Sequence, residues 1–302
     1  MFCLPRKKQR RPVGALRTGF LAIVLIAPSW ASATMLTVML ESETDLDSLE
    51  VGLRQFATYD DLINDIALVP EAFSAINPSA SYSTTGLAWD GSNYIVQFER
   101  ESDADVFEVA YRSYATYDDM LTDTLAFPEQ PSAINPSSNY STTGLTWDGS
   151  QYIVQLERET NSDVFEIAYR KYATFDDVLT DTLAAPEQWS AMNPSSLYST
   201  TGLDWDGSNY IVQLEREVDA DFFEIAYRRY ATFDDVLTDT LAAPEQWSAL
   251  NPSALYSTTG LASFPMVSVP EPSTFLLLNM GIAGLATGLR RRRSSSTAHP
   301  AS

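Results

Sequence analysis

Among its 302 residues the chain has one cysteine, Cys3, and one histidine, His299, each close to an end. The long middle has no thiol and no imidazole, which excludes disulfide staples, cysteine nucleophiles, histidine-dependent triads and the usual zinc constellations there. Basic residues are scarce as well. Six of the 19 Lys and Arg precede Thr34 and four follow Val269, so 9 stand against 39 of the 40 acidic residues between them, a net charge near −30. A surface that acidic repels phosphate backbones and argues against nucleic acid as a partner. What is there is enough for a packed core, since 45% of the residues are apolar and only 20% charged.

The carboxylates keep a paired-acid glycosidase open. However, Glu99, Glu157 and Glu215 recur in equivalent surroundings, whereas an acid–base pair needs two different ones. The expectation is a protein that is not an enzyme and that needs no cofactor.

Residues 1–33 read as an export signal. Arg6, Lys7, Lys8, Arg10, Arg11 and Arg17 form its basic region, Gly19 to Ala27 its apolar region, and Ala31-Ser32-Ala33 the small-residue site for signal peptidase. The mature chain is expected to start at Thr34. The apolar run is shorter than the about 20 residues that span a bilayer, which disfavours a retained anchor.

From there on the chain repeats itself. Phe56, Tyr114, Tyr172 and Tyr230 stand at the same register, 58 residues apart, and 34–262 holds four units. The first copy begins inside the unit, with Thr37 to Glu41 and Asp47 to Arg54 matching Ile153 to Glu157 and Asp163 to Arg170. The last stops after Tyr256-Ser-Thr-Thr-Gly-Leu261, where Trp-Asp-Gly is due. The incomplete ends add up to one unit, as in a ring whose last blade takes strands from both termini and leaves no open edge. Tyr172 to Leu203 and Tyr230 to Leu261 differ at only two positions, Met192/Leu250 and Ser196/Ala254, so neighbouring units are nearly interchangeable.

Within a unit, Gly144 to Trp147 and Tyr152 to Glu157 are β-rich runs joined by Asp-Gly-Ser, a hairpin signal. Val164 to Tyr172 alternates as a strand does. Thr174 is placed to cap a short helix with Asp176 and Asp177 in its first turn, and Pro186 and Asn193-Pro194 lead back to the next unit. Three strands and a short helix, four times, predict an all-β fold and a four-bladed β-propeller. Its layout resembles that of hemopexin-like propellers without their sequence signatures; an orthogonal β-sandwich or irregular β-repeat array is the alternative.

Candidate ligand positions follow from the repeats. Asp60-Asp61, Asp118-Asp119, Asp176-Asp177 and Asp234-Asp235 offer oxygen to calcium, but helix-start acids explain them more simply. Trp89, Trp147 and Trp205 read as core. Trp189 and Trp247 fall in a loop, opposite Phe73 and Pro131 of the other units, and are the preferred surface contacts.

The C-terminal segment is the most specific. After a linker, 263–268, come Val269-Pro270-Glu271-Pro272, an apolar run from Phe275 to Leu289, the cluster Arg290, Arg291, Arg292 and Arg293, and a tail, 294–302. Segment 269–293 resembles the PEP-CTERM sorting signal of exported bacterial proteins. The resemblance implies that an exosortase acts at Pro270-Glu271-Pro272, with residues 275–289 as a transient transmembrane helix in the inner membrane, arginines and tail on the cytoplasmic side, and release to the cell surface or outside. It also implies hosts that make exopolysaccharide and biofilm. The function expected is that of a surface or matrix protein with a structural or binding β domain. The alternatives are a carbohydrate-active propeller enzyme and an ice- or mineral-binding protein using its Ser-Thr-Thr segments.

Overall fold

The computed structural model describes residues 34–45, 48–78, 82–103, 106–134, 140–161, 164–192, 198–219, 222–250 and 256–265, all within one unit of the chain, 32–302. The elements in order are β1 (Thr34–Asp45), β2 (Ser48–Phe56), α1 (Tyr59–Ile63), β3 (Ala72–Ser74), β4 (Tyr82–Trp89), β5 (Tyr94–Asp103), β6 (Val106–Tyr114), α2 (Tyr117–Leu121) and β7 (Phe127–Pro131). They continue with β8 (Tyr140–Trp147), β9 (Tyr152–Asn161), β10 (Val164–Tyr172), α3 (Phe175–Leu179), β11 (Gln188–Trp189), β12 (Tyr198–Trp205), β13 (Tyr210–Asp219), β14 (Phe222–Tyr230), α4 (Phe233–Thr238), β15 (Ala243–Trp247) and β16 (Tyr256–Pro265).

These strands form four antiparallel sheets of four: β4-β5-β6-β7, β8-β9-β10-β11, β12-β13-β14-β15 and β16-β1-β2-β3. The first strand of each sheet packs against the first strands of its two neighbours, β4 on β8, β8 on β12, β12 on β16 and β16 on β4. This is a four-bladed β-propeller, closed as the incomplete ends require: β16 from the end of the repeats pairs with β1 from their start. A sandwich or open array is thereby excluded.

Two readings are corrected. Each blade has four strands, not three: Phe73, Pro131, Trp189 and Trp247, read as loop positions, lie on the outermost strands β3, β7, β11 and β15. Those strands are two to five residues long and lack clean alternation, so no strand period marks them. The linker also starts later than 263. Ser263 pairs with Leu36 on β1, and Phe264 is buried against Tyr94, ring centroids 4.6 Å apart.

The apolar residues do not meet in one central core. They form four seams, each drawing side chains from two adjacent blades; Ile95, Val109 and Tyr111 of one blade, for example, meet Leu145, Val154 and Tyr172 of the next. Each blade is thus half of two seams. On the inner strands the blades approach so closely that only glycine fits. A Cβ on Gly144 would lie 2.9 Å from the Leu203 backbone nitrogen, one on Gly86 3.0 Å from that of Leu145, and one on Gly260 3.0 Å from that of Leu87.

The short helices join the blades at the rim. Thr174 accepts from the Asp177 N–H and Asp177 accepts from the Thr174 N–H, a reciprocal cap that explains the acidic pair. A five-residue helix leaves its last carbonyls without partners of its own, and the neighbouring blade supplies them. Ala133 N–H donates to Leu179 and the Ser132 hydroxyl to Val178, both at 2.7 Å. Ala75, Ala191 and Ala249 repeat the contact onto Leu121, Leu237 and Ile63, which closes the circle.

Among the described residues no helix is long and apolar enough to cross a membrane. The expected export signal, transmembrane helix, arginine cluster and tail lie outside the described residues. Replacing Gly144 by Ala should cost about 1–3 kcal/mol through overpacking against backbone. The same change at Gly202, where the nearest Leu261 atoms are 3.2 Å away, should cost less. Urea unfolding of the two variants measures the difference.

Candidate functional site

The axis of the ring is lined by threonines from the four Ser-Thr-Thr-Gly segments. Thr84, Thr142, Thr200 and Thr258 are buried, and the next residue in each segment is left out of the strand pairing by a bulge. Bulging turns successive hydroxyls toward neighbouring blades. The pairs Thr85–Thr142, Thr143–Thr200, Thr201–Thr258 and Thr259–Thr84 are 2.7–2.9 Å apart, one hydroxyl pair at each of the four junctions between blades. Together the eight threonines line an open cavity of about 150 Å³.

Behind each pair stands a glutamate of the preceding blade. Glu99 accepts from the Thr142 N–H at 2.7 Å and from its hydroxyl at 3.0 Å. Glu157 does the same for Thr200, Glu215 for Thr258 and Glu41 for Thr84. When Glu99 is ionised it only accepts, and the chain then runs one way: Gln97 donates to Thr85, Thr85 to Thr142, and Thr142 to Glu99. One blade departs from this, because Met39 stands opposite Gly260 where Gln97 stands opposite Gly86.

Burial pushes Glu41, Glu99 and Glu157 up to about 7, with the threonine donors pulling partly back, and raises Glu215 for the same reason. The closing seam adds a group no other seam has. Asp204, 3% exposed, accepts from the Ser263 N–H at 2.9 Å and from its hydroxyl, and burial pushes it up to about 7. Asp204 occupies the place of Ala88 and Thr146, and Ser263 that of Trp89. A departure from the repeat was therefore the available signal for this lock.

The outer faces carry the other candidates. Trp189 and Trp247 are 40% and 39% exposed, yet neither is free. The Arg158 guanidinium lies 4.2 Å from the Trp189 ring and that of Arg216 4.1 Å from Trp247. Trp89, Trp147 and Trp205 are half-buried, each 4.6 Å from the tyrosine across its hairpin. Those hairpins turn at Gly91, Gly149 and Gly207, with φ of 91–93°. The acidic pairs sit at helix starts, and among the described residues no group of three or more acidic, His or Cys side chains stands close enough to hold a metal ion. Val269 to Pro272, Arg290 to Arg293, Ala31 and Ala33 lie outside the described residues.

Fold and ring define the class: a four-bladed propeller closed by its own termini. The profile of the PEP-CTERM protein-sorting motif matches residues 268–293. The chain thus carries that motif at its C-terminal end, and the motif implies export and sorting by an exosortase. No curated protein matches the chain. Among solved structures, a tail fiber of Staphylococcus aureus phage P68 is similar at 10% identity and a TM-score of 0.27 over 69% of this chain. The chain spans about half of that one, 51%, and the likeness is too distant to bear on fold or function.

The four glutamates and Asp204 give stability a sign with pH. Their folded values lie above their unfolded ones, so their contribution is complete below the ordinary carboxylate range and is lost as pH rises, through about 7 for Glu41, Glu99, Glu157 and Asp204. Thermal melting should therefore show a fall in stability on the order of several kcal/mol between about pH 5 and pH 8. Glu99→Gln keeps an acceptor for Thr142 without the buried charge, so it should flatten that slope and be more stable than the parent at pH 8. An unchanged slope would show that Glu99 is not the titrating group.

Proposed function

We propose that this is an exported, exosortase-sorted, non-enzymatic protein of the cell surface or extracellular matrix, whose propeller is a structural or binding module associated with exopolysaccharide. The observation that carries the reading is the sorting motif at 268–293, directly after the strand that closes the ring. A domain whose blades end in outer strands of only two to five residues suits life outside the cell, where a long open sheet edge invites aggregation. It has no cysteine to oxidise there. The net acidity favours cations and neutral glycans as company over anionic polymers.

The enzyme reading is the weaker one, because Glu41, Glu99, Glu157 and Glu215 are each committed to two hydrogen bonds from a threonine in equivalent surroundings, whereas an acid–base pair needs two different ones. The ice- or mineral-binding reading asks for a flat threonine array, whereas these threonines curve around a cavity and bond one another. In the mechanism proposed, signal peptidase cuts after Ala33, the inner membrane holds the segment 275–289 transiently, and an exosortase cuts near Pro270-Glu271-Pro272. The propeller then leaves the membrane.

Intact mass and cell fractionation of the native protein, with and without the host's exosortase, test this. The expected product starts near Thr34, ends near Pro270 and is outside the cell only when the exosortase is present. Replacing Pro270-Glu271-Pro272 by alanines should leave it in the inner membrane. A parent chain that keeps its arginines and stays in the membrane in an exosortase-competent host would overturn the proposal.

A further inference from the structure

Two blades carry the same sandwich on their outer faces. Trp189 lies near-parallel to Tyr140, at 23° and 6.5 Å between centroids, and is covered by Arg158, whose guanidinium is held by Glu166. Trp247 lies likewise between Tyr198, at 30° and 6.2 Å, and Arg216, which Glu224 holds. A third blade has the frame without the filling. Tyr82, Arg100 and Glu108 stand at the registers of Tyr140, Arg158 and Glu166, but Pro131 faces Ala110 where Trp189 faces Ala168. In place of the indole there is a pocket of about 240 Å³, lined by Tyr82, Arg100, Glu108 and Glu129.

We propose that this pocket docks an aromatic side chain of another polypeptide, a tryptophan above all. The argument is the chain's own: the same tyrosine, arginine and glutamate hold an indole in two sister blades. Tyr82 is also backed by an aromatic ring here, stacking on the buried Phe98 at 5.0 Å and 22°, where the sister blades have Leu156 and Leu214. A guanidinium over a π face favours an aromatic ring over a saturated sugar. Glu129 at the rim offers an acceptor to an indole N–H. The remaining blade has no such frame, since Ser42 stands at the place of Arg100. The site does not depend on how the chain is sorted.

Saturation-transfer NMR on the full chain, with N-acetyl-tryptophanamide as probe and methyl β-glucoside as comparison, tests this. Pro131→Trp installs the sister blades' own indole, and Arg100→Ala removes the cover from an exposed ion pair, 54% and 51% open, without touching a seam. The parent should transfer saturation to the indole protons, and both variants should lose at least about fivefold of that signal. Pro131→Trp should also melt higher than the parent, which confirms that its ring fills the pocket; should it fail to fold, Arg100→Ala alone decides. No transfer in the parent, equal transfer in the parent and the folded variants, or a stronger signal from the glucoside would overturn the proposal.

Discussion

Everything in this domain depends on bonds between blades, because there is no centre to pack around. The axis holds threonine hydroxyls and a cavity, and the apolar side chains sit in seams that two blades share. Each seam is pinned at its inner end by a glutamate that reaches across to a threonine N–H and hydroxyl, and at its rim by a helix that accepts from the preceding blade. Between these pins the inner strands touch through bare glycine. An unpaired blade would expose half of two seams and orphan both sets of polar groups, so blades have reason to fold together.

The scarcity of cations has a counterpart in the structure. Arg54, Arg112, Arg170 and Arg228 each pair with an aspartate just past a helix and with a glutamate on or just before the outermost strand. The aspartates, Asp65, Asp123, Asp181 and Asp239, adopt positive φ of 48–51° at these helix ends. Arg100, Arg158 and Arg216 pair with glutamates of the adjoining strand, Lys171 lies 3.5 Å from the Phe233 ring, and Arg229 covers Tyr59 at 4.6 Å. All nine basic residues of the repeats thus have internal partners. Five of the acidic residues, Glu41, Glu99, Glu157, Asp204 and Glu215, are buried without a cation to pair with among the described residues and are held by hydroxyl and amide donors instead.

The fold was readable from the sequence because one pattern is written four times. The repeat gives blade number, the incomplete ends give the closure, and Thr174 and Asp177 announce the capped helix. The outermost strands were hidden because Gln188–Trp189 is too short for any period. The role of Glu99 was half visible. Its recurrence spoke against an acid–base pair, but its partner Thr142 lies 43 residues away, a distance no local pattern covers. The lock between Asp204 and Ser263 spans 59 residues and shows only as two departures from the repeat.

The inter-blade pins make the four blades one cooperative ring. Native-state hydrogen exchange of the amides of Thr84, Thr142, Thr200 and Thr258 tests it directly, since each donates to a glutamate of the neighbouring blade. A cooperative ring predicts a single opening free energy for all four, equal to that of global unfolding. If Thr258, on the closing strand, exchanges through a much cheaper opening while the others stay protected, the terminal blade comes away by itself and the account is contradicted.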